Sequence, residues 1–137
     1  MDRKILQELY EKATGSVENA YAPYSRFRVG AAVLMENDRG ERRVFTGVNV
    51  ENSSYGLTVC AERVAVFKGV SEGYRRLLAL ALVAVKDGET LPVLPCGACR
   101  QVMWEFGDEN TPVYDGEKVH RLGDLLPGGF RLRKGRP

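Results

Sequence analysis

Residues 77–85 read Leu-Leu-Ala-Leu-Ala-Leu-Val-Ala-Val, nine apolar residues closed by Arg76 on one side and Lys86 on the other. Nine residues fall far short of the roughly 20 that span a bilayer as a helix. The run has no polar side, so it is not an amphipathic surface helix; it reads as a strand buried on both faces, central in a sheet covered by helices on both sides.

The neighbouring segments supply those layers. Upstream, Val59–Val70 carries Val59, Val66, Phe67 and Val70 among good helix formers and predicts a helix ending near Gly69 and Gly73. Earlier still, Phe27–Met35 and Arg42–Val50 read as a hairpin around Asp38-Arg39-Gly40. In Asp2–Ala22, apolar residues recur at three and four from Ile5 to Tyr21; this predicts a helix capped by Asp2, weakened at Gly15 and stopped by Pro23. Downstream, a helix begins at Pro95-Cys96 and closes at Gly107, and two short strands, Thr111–Tyr114 and Lys118–Leu122, flank Asp115-Gly116. The expectation is an α/β fold, a three-layer α-β-α sandwich with a five-stranded mixed sheet, formed by residues 1–137 as one domain with a basic tail at 131–137.

Composition agrees with that class and narrows the partners. The chain has 137 residues, 44% hydrophobic and 28% charged, with a formal charge of +2, values typical of ordinary globular domains. Positive charge concentrates only in Arg131, Arg133, Lys134 and Arg136. A tail without interleaved aromatics reads as a solvated terminus, so neither a nucleic acid nor a membrane is an expected partner. The start, Met1-Asp2-Arg3-Lys4, has no apolar segment of the secretory kind, which predicts a cytoplasmic protein.

The three cysteines, Cys60, Cys96 and Cys99, are too few and too odd for a disulfide framework in a reducing compartment. Each lies at a predicted helix start, in Cys60-Ala61-Glu62 and in Pro95-Cys96-Gly97-Ala98-Cys99. Cys96 and Cys99 are three apart and reach one point; Cys60 joins them only if it sits at the irregular entrance of its helix. Three thiolates without a fourth protein ligand describe a zinc site with a position open to water, the catalytic arrangement. His120, the single histidine, falls on a predicted edge strand and is left out of the set. Zinc with three thiolates is formally −1, which helix N-termini and Arg63 moderate; Arg100 is divided between such a role and a surface ion pair. Glu62 is the acidic group beside the metal and not needed as a ligand, hence the candidate general acid and base.

The order Cys-Ala-Glu followed by PCxxC is the signature of zinc-dependent nucleobase deaminases in an all-cysteine form. With it, PYSRFRVGAAV from Pro23, GVNVENSSYGLTVCAERVAVFKGVSEG from Gly47, PCGACRQVMWEF from Pro95 and LLPGGF from Leu125 make the chain resemble the short, homotetrameric cytidine deaminases. Cysteine at position 60, where relatives acting on polynucleotides carry histidine, places the resemblance in the free-nucleoside branch. The resemblance implies hydrolysis of cytidine and 2′-deoxycytidine to uridine and 2′-deoxyuridine plus ammonia, in pyrimidine salvage, with one zinc ion per subunit. It implies that Asn49 and Glu51 bind the ribose 3′-hydroxyl, that Phe27 lies against the nucleoside and Tyr55 near it, and that the Ala61 N–H holds the pyrimidine carbonyl. Phe130 is implied to stack on the base from a neighbouring subunit. Two readings compete: a deaminase of another aminopyrimidine nucleoside, of the blasticidin S type, and a non-catalytic zinc-stabilised binding module. The intact NVEN and ENSSYG segments oppose the first.

Overall fold

The fold is taken from a computed structural model that describes residues 1–132. A six-stranded mixed sheet is built from β1 (Arg28–Glu36), β2 (Arg42–Val48), β3 (Arg76–Lys86), β4 (Glu89–Leu91), β5 (Pro112–Tyr114) and β6 (Val119–Arg121). Its order is β2-β1-β3-β5-β6, with β4 also paired to β3. Strand β3 is central, antiparallel to β1 and parallel to β5, as the apolar run predicts. The helices are α1 (Arg3–Ser16), α2 (Ala61–Ser71), α3 (Gly97–Phe106) and α4 (Leu122–Leu125).

Strand alternation sorts the core into two layers. Ala31, Val33, Met35, Leu80 and Leu82 face α2 and α3, packing with Ala65, Val66 and Met103. Ala32, Leu34, Ala79, Ala81 and Val83 face the other way, against Leu6, Leu9 and Ala13 of α1. Each fully buried Leu or Val contributes about 1.5–3 kcal/mol relative to exposure, so β3, buried on both faces, anchors both layers. Among the described residues no helix is long and apolar enough to cross a membrane.

The sheet has one strand more than expected. Asp87 and Gly88 both adopt left-handed backbone, φ 51° and 77°, the type I′ geometry that Asp-Gly favours, and they fold β4 back onto β3 as a hairpin. Helix α1 is shorter than its periodicity predicts. The Ser16 hydroxyl donates to the Ala13 carbonyl at 2.8 Å, the Val17 N–H reaches Thr14 rather than Ala13, and the chain tightens into a 3₁₀ turn at Val17–Asn19. The Asp2 side chain caps α1 by accepting from the Lys4 N–H at 2.9 Å.

Arg131, the first residue of the expected tail, is tied to α3. Arg131 donates from Nε to the Trp104 carbonyl at 2.7 Å and from Nη2 to the Gly107 carbonyl at 2.6 Å, and its guanidinium lies over the Trp104 ring at 5.1 Å. It thereby satisfies carbonyls at the end of α3, whose last turn has no basic residue of its own. Arg133, Lys134 and Arg136 lie outside the described residues.

Gly47 of β2 sets how closely α2 approaches the sheet. A Cβ at this position would collide with the Ala65 N and the Ala61 carbonyl, the backbone of the helix that carries Glu62. Gly47→Val is therefore expected to lower stability by about 1–3 kcal/mol, read as a fall of several degrees in the thermal unfolding midpoint; an unchanged midpoint would show that α2 has room to retreat.

Candidate metal centre and nucleoside cleft

Two helix starts meet at one end of the sheet. Cys60 is the N-cap of α2, with extended backbone (φ −74°, ψ 154°), so it stands at the irregular entrance that a shared site requires. Cys96 is the N-cap of α3, and its Sγ accepts from the Cys99 N–H at 3.4 Å; a sulfur does here what a serine or aspartate oxygen does at other helix starts. Cys99, one turn in, is fully buried. The sulfurs of Cys60 and Cys96 are 3.7 Å apart, those of Cys96 and Cys99 3.3 Å, and all three lie within 4.8 Å of one another. A tetrahedral zinc with Zn–S of about 2.3 Å separates its sulfurs by about 3.8 Å, so the cluster fits that ion with little adjustment.

Several contacts hold this geometry. Val50 bridges to Val59 on one side and pairs with Tyr21 on the other, pinning the loop that delivers Cys60. Arg100 donates from Nε to the Pro95 carbonyl at 2.7 Å and from Nη1 to the Leu125 carbonyl at 2.8 Å. Among the described residues it has neither a sulfur nor a carboxylate partner; it clamps the approach to α3 onto α4. Arg63 is the sulfur partner, with Nη2 donating to Cys60 Sγ at 3.4 Å, while its buried Nε has no protein acceptor among the described residues.

Within the cluster, the Cys60 thiol is pushed down to about 5, first by the hydrogen bond from Cys99 and also by Arg63, against the effect of burial. Cys99, the donor in that bond and itself buried, moves up. The downward shift favours the thiolate at Cys60, the form that binds metal. Glu62 is 4% exposed, and burial raises its carboxyl to about 7. A first-turn glutamate present only for the helix dipole would face water; this one faces the cluster. His120 is elsewhere, with Nε2 at 3.0 Å from Asp115 Oδ2.

A cleft of about 320 Å³ opens beside the sulfurs, lined by Phe27, Asn49, Glu51, Tyr55, Ala61 and Glu62 along with Cys60 and Cys96. Asn49 is buried and its amide is already engaged: Oδ1 accepts from the Val29 N–H at 2.9 Å and Nδ2 donates to the Phe27 carbonyl at 2.8 Å. One N–H and one lone pair remain for a ligand. Glu51 Oε1 accepts from the backbone N–H groups of Tyr24 and Ser25 at 2.9 and 3.2 Å, and its carboxyl is held below the usual range, first by the Ser25 hydroxyl. Ala61 occupies the first turn of α2, where helix geometry leaves its N–H without an intrahelical acceptor. Tyr55 is 88% exposed at the mouth. Phe130, 63% exposed, lies outside this chain's cleft, its carbonyl accepting from Gln101 Nε2 at 3.1 Å. Ser25, Val29, Thr58, Val93 and Leu94 also line the cleft without having been singled out in the sequence. For Val93 and Leu94 a signal existed, since they immediately precede the PCxxC helix start.

Residues 3–115 match the family described as the cytidine and deoxycytidylate deaminase zinc-binding region. A cytidine deaminase of Halalkalibacterium halodurans is 49% identical over 135 residues, covering 95% of each chain. One from Mycobacterium tuberculosis is 50% identical over 120 residues, 88% of this chain and 85% of that protein. The crystal structure of the Mycobacterium tuberculosis cytidine deaminase superposes with a TM-score of 0.77 at 48% identity, over 96% of this chain and 99% of that one. For the Burkholderia pseudomallei cytidine deaminase the TM-score is 0.78 at 44% identity, over 95% and 100%. This chain belongs to the cytidine and deoxycytidylate deaminase family. The family's zinc region and the three-cysteine cluster agree on the cofactor.

Removing the Arg63 guanidinium leaves Cys60 without its charged partner. Arg63→Ala is expected to weaken zinc binding about 10–100-fold, measured by competition with a chromogenic chelator; retention equal to the parent would show that the helix termini alone offset the thiolate charge.

Proposed function

We propose that the protein catalyses hydrolytic deamination of cytidine and 2′-deoxycytidine to the corresponding uridines and ammonia, as a zinc enzyme of pyrimidine salvage. The observation that carries this reading is the buried Glu62 carboxyl, held beside three sulfurs at the end of a cleft large enough for a nucleoside. Cys60, Cys96 and Cys99 would hold the zinc ion, which would supply a water activated for attack at neutral pH.

The chain's own residues do the rest. Glu62, near neutrality in its titration, takes a proton from the attacking water, delivers it to N3 of the base, and then carries a second proton to the departing amino group. The Ala61 N–H holds the base carbonyl oxygen and so turns C4 toward the sulfurs. Asn49 donates its remaining amide hydrogen to the ribose 3′-hydroxyl oxygen, and Glu51 accepts the hydroxyl's proton through its remaining lone pair. Phe27 packs against the nucleoside and Tyr55 flanks the mouth. Arg63 offsets the thiolate charge at Cys60.

The assembly proposed is a homotetramer in which Phe130 of one subunit stacks on the base bound by its neighbour. An exposed aromatic outside the cleft of its own chain is consistent with that use. The partners are then a small nucleoside and further copies of the chain, with no role for nucleic acid or membrane, and the expected compartment is the cytoplasm.

Ammonia release from cytidine by the zinc-loaded protein tests the reading, with Glu62→Gln as its matched control. The variant should keep zinc and fold and lose about 10²–10⁴-fold in kcat. Equal turnover by both would remove Glu62 from the proton path, and no release by the zinc-replete parent would overturn the cytidine assignment. Phe130→Ala should raise KM for cytidine with zinc content unchanged; an unchanged KM would remove the cross-subunit contact.

A further inference from the structure

Both carboxylate oxygens of Glu51 are held, Oε1 by the backbone N–H groups of Tyr24 and Ser25 and Oε2 by one side chain, Ser25. The Ser25 Oγ lies between the Glu51 carboxylate and the Phe27 N–H. Phe27 N–H can only donate, at 3.0 Å, and an ionised Glu51 can only accept. The hydroxyl therefore has one possible orientation, donating its proton to Glu51 Oε2. Since Oε1 already accepts from the Tyr24 and Ser25 N–H groups, a single acceptor site remains on the carboxylate, on Oε2.

The loop that places Ser25 is itself fixed. Arg26 adopts left-handed backbone, φ 58°, which a non-glycine residue takes up only at some cost, and its N–H donates to the Ala22 carbonyl at 2.9 Å. Lys86, at the end of β3, donates from Nζ to the Ser25 carbonyl at 2.9 Å. Central strand, turn and hydroxyl thus form one connected path to Glu51 and Phe27.

We infer that Ser25 is a positioning residue that aims the one remaining acceptor of Glu51 and fixes the backbone of Phe27, and so sets the cleft's preference for nucleosides bearing a 3′-hydroxyl. The inference rests on the reading that Glu51 receives that hydroxyl. It assigns specificity to a residue that sits beside the ribose site and acts through its neighbours.

The test compares kcat and KM for cytidine and 3′-deoxycytidine in the zinc-loaded parent, Ser25→Ala, Ser25→Thr and Glu51→Gln, with zinc content and thermal midpoint recorded for each. Ser25→Ala should raise KM for cytidine about tenfold, the loss of roughly one hydrogen bond. It should reduce the preference for cytidine over 3′-deoxycytidine by a similar factor while kcat stays within about twofold, and Ser25→Thr should restore both. A folded, zinc-replete Ser25→Ala with parental KM and preference overturns the inference. Where Glu51→Gln abolishes the preference and Ser25→Ala does not, Ser25 alone loses its role. Where Glu51→Gln leaves the preference intact, the reading of Glu51 fails first. Should Ser25→Ala not fold, Ser25→Cys replaces it, a thiol being the weaker donor, and unchanged preference there overturns the inference equally.

Discussion

Two helices must begin at the same point in space for this site to exist. The first residue of each approach, Cys60 for α2 and Cys96 for α3, is at once an N-cap and a sulfur of the cluster. Capping positions lie outside the helix, where the backbone is free to leave helical angles. This is why a residue two before Glu62 can share a site with it, although i and i+2 point apart within a helix. The same convergence brings two sets of unsatisfied N–H groups toward the sulfurs, favouring thiolate over thiol.

The rest of the molecule holds those starts in place. Gly47 lets α2 settle onto β2 at backbone contact, the Val50–Val59 bridge fixes the loop before it, and Arg100 ties the approach to α3 to the Leu125 carbonyl. Beneath them β3 is buried on both faces, so displacement of either helix disturbs packing across the whole sheet. Burial of Glu62 follows from the same arrangement, and with it the raised carboxyl that suits a proton carrier.

Much of this was legible in the sequence because its signals are local. The apolar run at 77–85 identifies the central strand, Asp2 the first cap, and the Cys-Ala-Glu and PCxxC spacings the sulfur cluster and the buried glutamate beside it. What stayed hidden depends on tertiary contact or on competition between local signals. Asp87-Gly88 is as strong a hairpin signal as Asp115-Gly116, but the strand it creates is three residues long and lacks an apolar pattern. The end of α1 turns on a hydroxyl bonding back to its own helix, against a periodicity that continues to Tyr21. Arg100 and Arg131 look alike as surface cations; only their distant acceptors, a carbonyl 25 residues away for Arg100 and 27 for Arg131, reveal them as fasteners of the chain. Ser25 stood within a quoted motif, yet its link to Glu51 crosses 26 residues and no spacing rule foretells it.

The placement of β3 between the two cysteine segments also makes the cluster a tie across the fold. Cys96 and Cys99 are three residues apart at one helix start, whereas Cys60 lies 36 residues before Cys96, with β3 and its hairpin intervening. An ion held by all three sulfurs would cross-link two segments that enclose the central strand, so its binding free energy would add to the stability of the folded sheet as well as to that of the site.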